Sequence, residues 1–109
     1  MGYDENLAGR IQAILGKENG LQAKKMFGGI GYLLNGNMVC GVIKNDLIVR
    51  VGPEVTSWAL TQPYTRSFDF SGKLSRNWVV VAPPGCASEQ DLADWVERGT
   101  QYVSTLPPK

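Results

Sequence analysis

Histidine is absent from the 109-residue chain. That removes Ser-His-Asp triads, Cys-His dyads and histidine metal sites together, because the imidazole is their base or their ligand. Cysteine is scarce. Cys40 and Cys86 stand far apart, in no metal or redox spacing, so neither a structural zinc site nor a secreted disulfide scaffold is expected. No Ser-x-x-Lys nucleophile motif occurs. Net charge is close to zero, at +1, which gives bulk electrostatics no preference for nucleic acid or membrane. These absences point away from an enzyme, and neither cofactor nor metal is expected. The start, "MGYDENLAG", is acidic where a signal peptide is basic, and no apolar core follows it. Asn6 stands where myristoylation needs Ser or Thr. A cytoplasmic location is the expectation.

The composition that remains is globular, with 43% apolar and 19% charged residues. A chain of this length is one domain, 1–109, able to bury a core without staples. Its most unusual stretch is "KKMFGGIGYLLNGNMVCGVI", uncharged from Met26 to Ile43 and rich in glycine. A membrane helix would have to carry "NGN" at its centre, where the amides would be costly and the glycines would weaken the helix. Asn-Gly between two apolar runs is instead a strong hairpin signal, because a type I′ turn needs two residues at positive φ. Nucleotide loops fail on spacing: a dinucleotide fingerprint needs glycine at Leu34, and a P-loop needs lysine at Asn37. The glycines read as thin places in a strand, where another chain segment approaches closely or a bulge bends the sheet.

Periodicity supplies the rest. Asp4 is a plausible N-cap for a helix with Leu7, Ile11, Ile14 and Leu15 on one stripe and Gly16 at its end. One strand is expected from about Lys24 to Leu34, a second at "MVCGVI" and a third at "LIVRV", joined by tight turns. A short helix from Glu54 to about Thr61 presents Val55, Trp58 and Ala59 at helical spacing, and Pro63 blocks its continuation. Strands at "TRSFDF" and "NWVVVA" follow, joined by a Ser71-Gly72 turn. Ser88 and Asp91 open a last helix whose stripe is Leu92, Trp95, Val96, Gly99, Tyr102, Val103 and Leu106. Asp94 and Arg98 stand at i,i+4 on another face, ready to pair. The expected fold is α+β: a two-layer sandwich, α-βββ-α-ββ-α, with a mostly antiparallel five-stranded sheet and helices on one face.

Polar residues on strands are the candidates for function. Between 24 and 78 seven Lys/Arg face three Asp/Glu, a local +4. Arg50 alternates with core positions and should leave the helix-covered face. Arg66 flanks Phe68 and Phe70. With Lys73, Arg76 and Trp78 they form a candidate basic and aromatic interaction surface, since Arg and Trp are enriched at binding hot spots. The alternative is local pairing with Asp69 or Glu54 and aromatics that join the core. Cys40, mid-strand among apolar neighbours, reads as a buried small hydrophobe, and Cys86, in a loop, as the more exposed thiol. Glu89, Asp91, Asp94 and Glu97 read as an acidic helix start that complements the helix dipole.

The motifs "KKMFGGIGYLLNGNMVCGV", "DLIVRVGPE", "FDFSGK", "NWVVVAP" and "LPPK", in that order, resemble the N-terminal domain of the TfoX/Sxy family over about Lys24 to Lys109. The resemblance implies an α+β fold like that of type III secretion chaperones and a kinship with regulators of bacterial natural competence. Those regulators add a C-terminal helical domain, so this chain is expected to be a short, stand-alone member. Val39 stands where similar short members often carry a second cysteine, which argues against paired-thiol chemistry. Leu74-Ser75 replaces a common Pro-Met, so no role is carried over to the 71–76 loop. The resulting expectation is a non-enzymatic module acting by contact with an unidentified protein, with homodimer formation. The alternatives are a nucleic-acid-associated regulator and a small-anion binder using Arg50 and Arg66 as a clamp.

Overall fold

The computed structural model describes residues 3–18, 20–26, 28–70 and 73–108. Asp4 caps the first helix, α1 (Glu5–Leu15). Its Oδ1 accepts from the backbone N–H groups of Asn6 and Leu7 at 2.9 and 3.1 Å, satisfying two of the donors a helix start leaves unpaired. Leu7, Ala8, Ile11 and Leu15 are buried, and Ile14 packs at the margin.

Four strands follow: β1 (Leu21–Met26), β2 (Gly29–Leu34), β3 (Asn37–Ile43) and β4 (Asp46–Arg50). The stretch expected as one strand, 24–34, is therefore two. The chain reverses between Met26 and Gly29, which pair across the ladder, and Gly28 sits in the reversal at φ 76°. A Gly-Gly step is itself a tight-turn signal, but apolar residues on both sides give the run the look of a single strand. The Asn-Gly turn forms as the sequence predicts: Asn35 and Gly36 have φ of 53° and 86° and close Leu34 onto Asn37. At Gly29 the carbonyl of Val42 occupies the space a Cβ would need, the close approach expected of a strand glycine.

The chain continues through α2 (Pro53–Ala59), β5 (Thr65–Phe70), β6 (Lys73–Val81), a 3-10 turn (Pro83–Cys86) and α3 (Glu89–Val103). The expected Ser71-Gly72 turn lies outside the described residues. Ser88 caps α3, its Oγ accepting from Asp91 N–H at 3.0 Å, as the sequence predicts. Strand order is β1-β2-β3-β4-β6-β5, and every neighbouring pair is antiparallel. The sheet has six strands rather than five, because of the β1–β2 reversal.

All three helices lie on one face, α3 against β3 and β4 and α2 against β6. The protein is thus a two-layer α+β domain. Val39, Val42, Leu47, Val49, Val79 and Val81 of the sheet meet Ile11, Leu92 and Val96 of the helices in a common core. The β2–β3 register slips between Tyr32 and Leu33, leaving Val39 as the extra residue of a bulge, and Val39 and Cys40 are both fully buried. Gly99 lets α3 settle on that bulge: a Cβ there would lie 2.9 Å from the Val39 carbonyl oxygen and 3.0 Å from its Cγ1. Tyr32 ties the layers together, its hydroxyl donating to the Ala8 carbonyl at 2.9 Å. Among the described residues no helix is long and apolar enough to cross a membrane.

Candidate functional site

Alternation in β4 sends Leu47 and Val49, with Val51 just beyond the strand, to the helices; Ile48 and Arg50 go to the opposite face. Across the ladders Ile48 is opposite Gly41 and Val80, Arg50 opposite Trp78, and Val80 opposite Arg66. No described helix covers this face. Arg66 is tied to Asp46, Nη2 to Oδ2 at 2.8 Å, so its side chain crosses β6 above Val80. That covers the strand pair: Ile48 and Val80 are only 4% and 5% exposed without any helix over them. A shallow groove of about 210 Å³ remains, lined by Ile43, Ile48, Phe68 and Val80 among others.

The sequence-derived surface is partly assembled here. The Arg50 guanidinium carbon lies 5.9 Å from the Trp78 ring and 5.8 Å from the Tyr102 ring of α3, and Phe68 meets Trp78 with centroids 6.2 Å apart. Arg50 therefore does not stand free on the sheet but turns at the strand end toward two aromatic faces. Its Nε is buried with no hydrogen-bond partner. Tyr102 can reach this corner because Gly52 presents no Cβ to its ring. Arg66 pairs locally, with Asp46 rather than the Asp69 or Glu54 considered from sequence. The side chains of Lys73 and Arg76 lie outside the described part of the structure.

Both thiols are buried and free. Burial pushes the Cys40 thiol up to about 12. Cys86, expected to be exposed in its loop, is 2% exposed, because the 3-10 turn folds it inward onto the Ala82 carbonyl. Burial raises its pKa too, against a smaller opposing effect from Arg10. Among the described residues no cluster of three or more His, Cys, Asp or Glu could hold a metal ion.

A second surface escaped the sequence reading. Trp58, placed by periodicity on the same helical face as Val55 and Ala59, is 44% exposed while Ala59 is buried. Its indole meets Trp95 of α3, centroids 6.0 Å apart and planes tilted by 43°. Arg98 lies over both rings, at 4.5 and 5.3 Å. The expected Asp94–Arg98 ion pair is thus replaced: Arg98 stacks on the indoles, and Asp94 accepts from the Gln90 amide at 2.8 Å. A weakly hydrated, planar guanidinium gains more against two ring faces than beside a carboxylate still partly in water. No spacing rule signals this contact, because Trp58 and Arg98 meet only when α2 docks beside α3.

These features define a small α+β sandwich with one open sheet face and buried, protonated thiols. The chain belongs to the TfoX N-terminal domain family, whose model matches residues 13–102. No curated protein and no solved structure matches the chain.

Proposed function

We propose that this domain is a non-enzymatic regulatory module that works through protein contacts and pairs with a second copy of itself across the open face of the sheet. The observation that carries the reading is the half-buried trio Ile43, Phe68 and Trp78 around the covered Ile48 and Val80, on a face that no described helix covers. Covering Ile43, Phe68 and Trp78 would remove the apolar surface that each still shows to water, which favours association. Membership of the TfoX N-terminal domain family supports the regulatory part. The engagement of Arg66 by Asp46, and of Arg50 by aromatic rings, favours a contact surface over an anion clamp.

Light scattering over a dilution series tests the pairing. A dimer at about 100 µM that dissociates on dilution is expected, with Ile43→Glu monomeric at all concentrations. A wild-type protein that stays monomeric throughout the series overturns the reading.

A further inference from the structure

The end of α2, the loop after it and α3 enclose a furrow of about 290 Å³. Large apolar side chains exposed among the described residues are Trp58, Leu60 and Tyr64, all in this one stretch. Scattered exposed apolar residues need no explanation, but aromatics gathered along one furrow do. Tyr64 sits at φ 65°, a backbone region that bulky residues rarely adopt, and the residue is 58% exposed. Its carbonyl accepts from the Ala82 N–H at 2.8 Å, which ties the loop to the end of β6, but the exposed side chain adds little to the core and is free to meet a ligand.

The furrow has the parts of a recognition site for polyproline. Trp58 and Tyr64 offer flat, accessible rings. Arg98 lies over the Trp58 and Trp95 indoles, so these rings are already packed together before any ligand arrives. Pro84 and Gly85 form part of the wall, and Asp91 and Asp94 stand at the side contributed by α3. The Asp91 backbone N–H serves the Ser88 cap, while its carboxylate takes no partner among the described residues.

We propose that this furrow binds an extended, proline-rich segment of a partner protein that carries a lysine or arginine beside its prolines. Prolines in a polyproline II helix are already ordered, lack internal hydrogen bonds and stack on Trp and Tyr planes. The aspartates then select the basic neighbour. Bases of a single-stranded nucleic acid also stack on such rings, but their phosphates would meet the same aspartates. The chain's own Pro107-Pro108 is held elsewhere, the Pro107 carbonyl accepting from the Asn37 amide at 2.9 Å. This inference rests on the protein-contact reading above but uses a different surface from the dimer.

The test titrates the full chain with a synthetic oligoproline capped by arginine at both ends, following indole N–H signals by NMR. The Trp58 and Trp95 signals should move and that of Trp78 should not. A glutamate-capped oligoproline should bind roughly tenfold or more weakly. Asp91→Asn with Asp94→Asn should erase that preference. Tyr64→Gly should lose binding at least about tenfold while melting at a higher temperature, because glycine relieves the backbone strain. A loss of binding caused by misfolding would instead lower the melting temperature. The proposal is overturned if no indole signal moves at millimolar peptide, if the glutamate-capped peptide or an oligothymidine binds more tightly, or if Tyr64→Gly binds like wild type. Light scattering on the same samples reports the dimer separately, so either reading can fail while the other stands.

Discussion

Cys40 illustrates how far one buried side chain can be read. Its position between Val39 and Gly41 in an apolar strand predicts burial, and it is fully buried with its pKa pushed up to about 12. A free cysteine titrates near 8.5, so the native state holds this proton more tightly than the unfolded chain. The contribution to stability is complete below about pH 8.5 and is lost as pH rises toward 12. We expect stability to fall over that alkaline window, and the Cys40-linked part of the slope to vanish in Cys40→Ala, measured by urea unfolding at several pH values. In the native protein at neutral pH neither thiol should be alkylated by iodoacetamide, as mass spectrometry would show; rapid labelling of Cys86 would contradict its burial. The sequence put Cys86 in a loop and so in solvent. Loop membership says nothing about which way a 3-10 turn aims its last side chain.

Elements were legible where a local rule sets their ends. Asp4 and Ser88 cap α1 and α3 because their side-chain oxygens reach nearby backbone donors, and that geometry is written within a few residues. The break between β1 and β2 was not legible in the same way, since Gly-Gly fits both a turn and a strand that another backbone crosses closely. Glycines inside helices separate the two kinds of information further. Gly9 of α1 and Gly99 of α3 look alike as helix residues, and alanine is the better helix former at either by about 1 kcal/mol. Nothing lies within 4 Å of a Cβ built at Gly9, so Gly9→Ala should stabilise by up to about 1 kcal/mol. A Cβ at Gly99 would press on the Val39 backbone at 2.9 Å, which cannot rotate aside. Overpacking there should outweigh the propensity gain and destabilise by about 1–2 kcal/mol. Denaturant melts of the two variants should shift in opposite directions; a matching shift would mean that α3 does not rest on the bulge as described.

For the molecule as a whole, a single helical layer on a six-stranded sheet leaves the sheet half covered. Lys24 and Lys25, both exposed, sit on the edge strand β1, where charge discourages edge-to-edge pairing. If the domain pairs as proposed, this charge disfavours the β1 edge as the contact. If the open face is the dimer contact, unfolding is coupled to dissociation and the melting temperature must rise with protein concentration. Calorimetry over a hundredfold concentration range should show that rise in wild type and none in Ile43→Glu. A concentration-independent melt in both would argue for a folded monomer that leaves its open face in water.

Local chemistry settled the class of this protein. Turn dipeptides, capping oxygens and apolar periods act over a few residues, so the α+β order, the Asn-Gly hairpin and the stripe of α3 follow from the chain read in one dimension. Family membership rests on the same linear record, in motifs whose order survives without any coordinates. The partners of the arginines needed three dimensions. Arg66 to Asp46, Arg50 to Trp78 and Tyr102, and Arg98 to Trp58 are side chains brought together by strand order and helix docking. A long flexible cation can reach many neighbours, and which one it meets is set by the packing of distant segments.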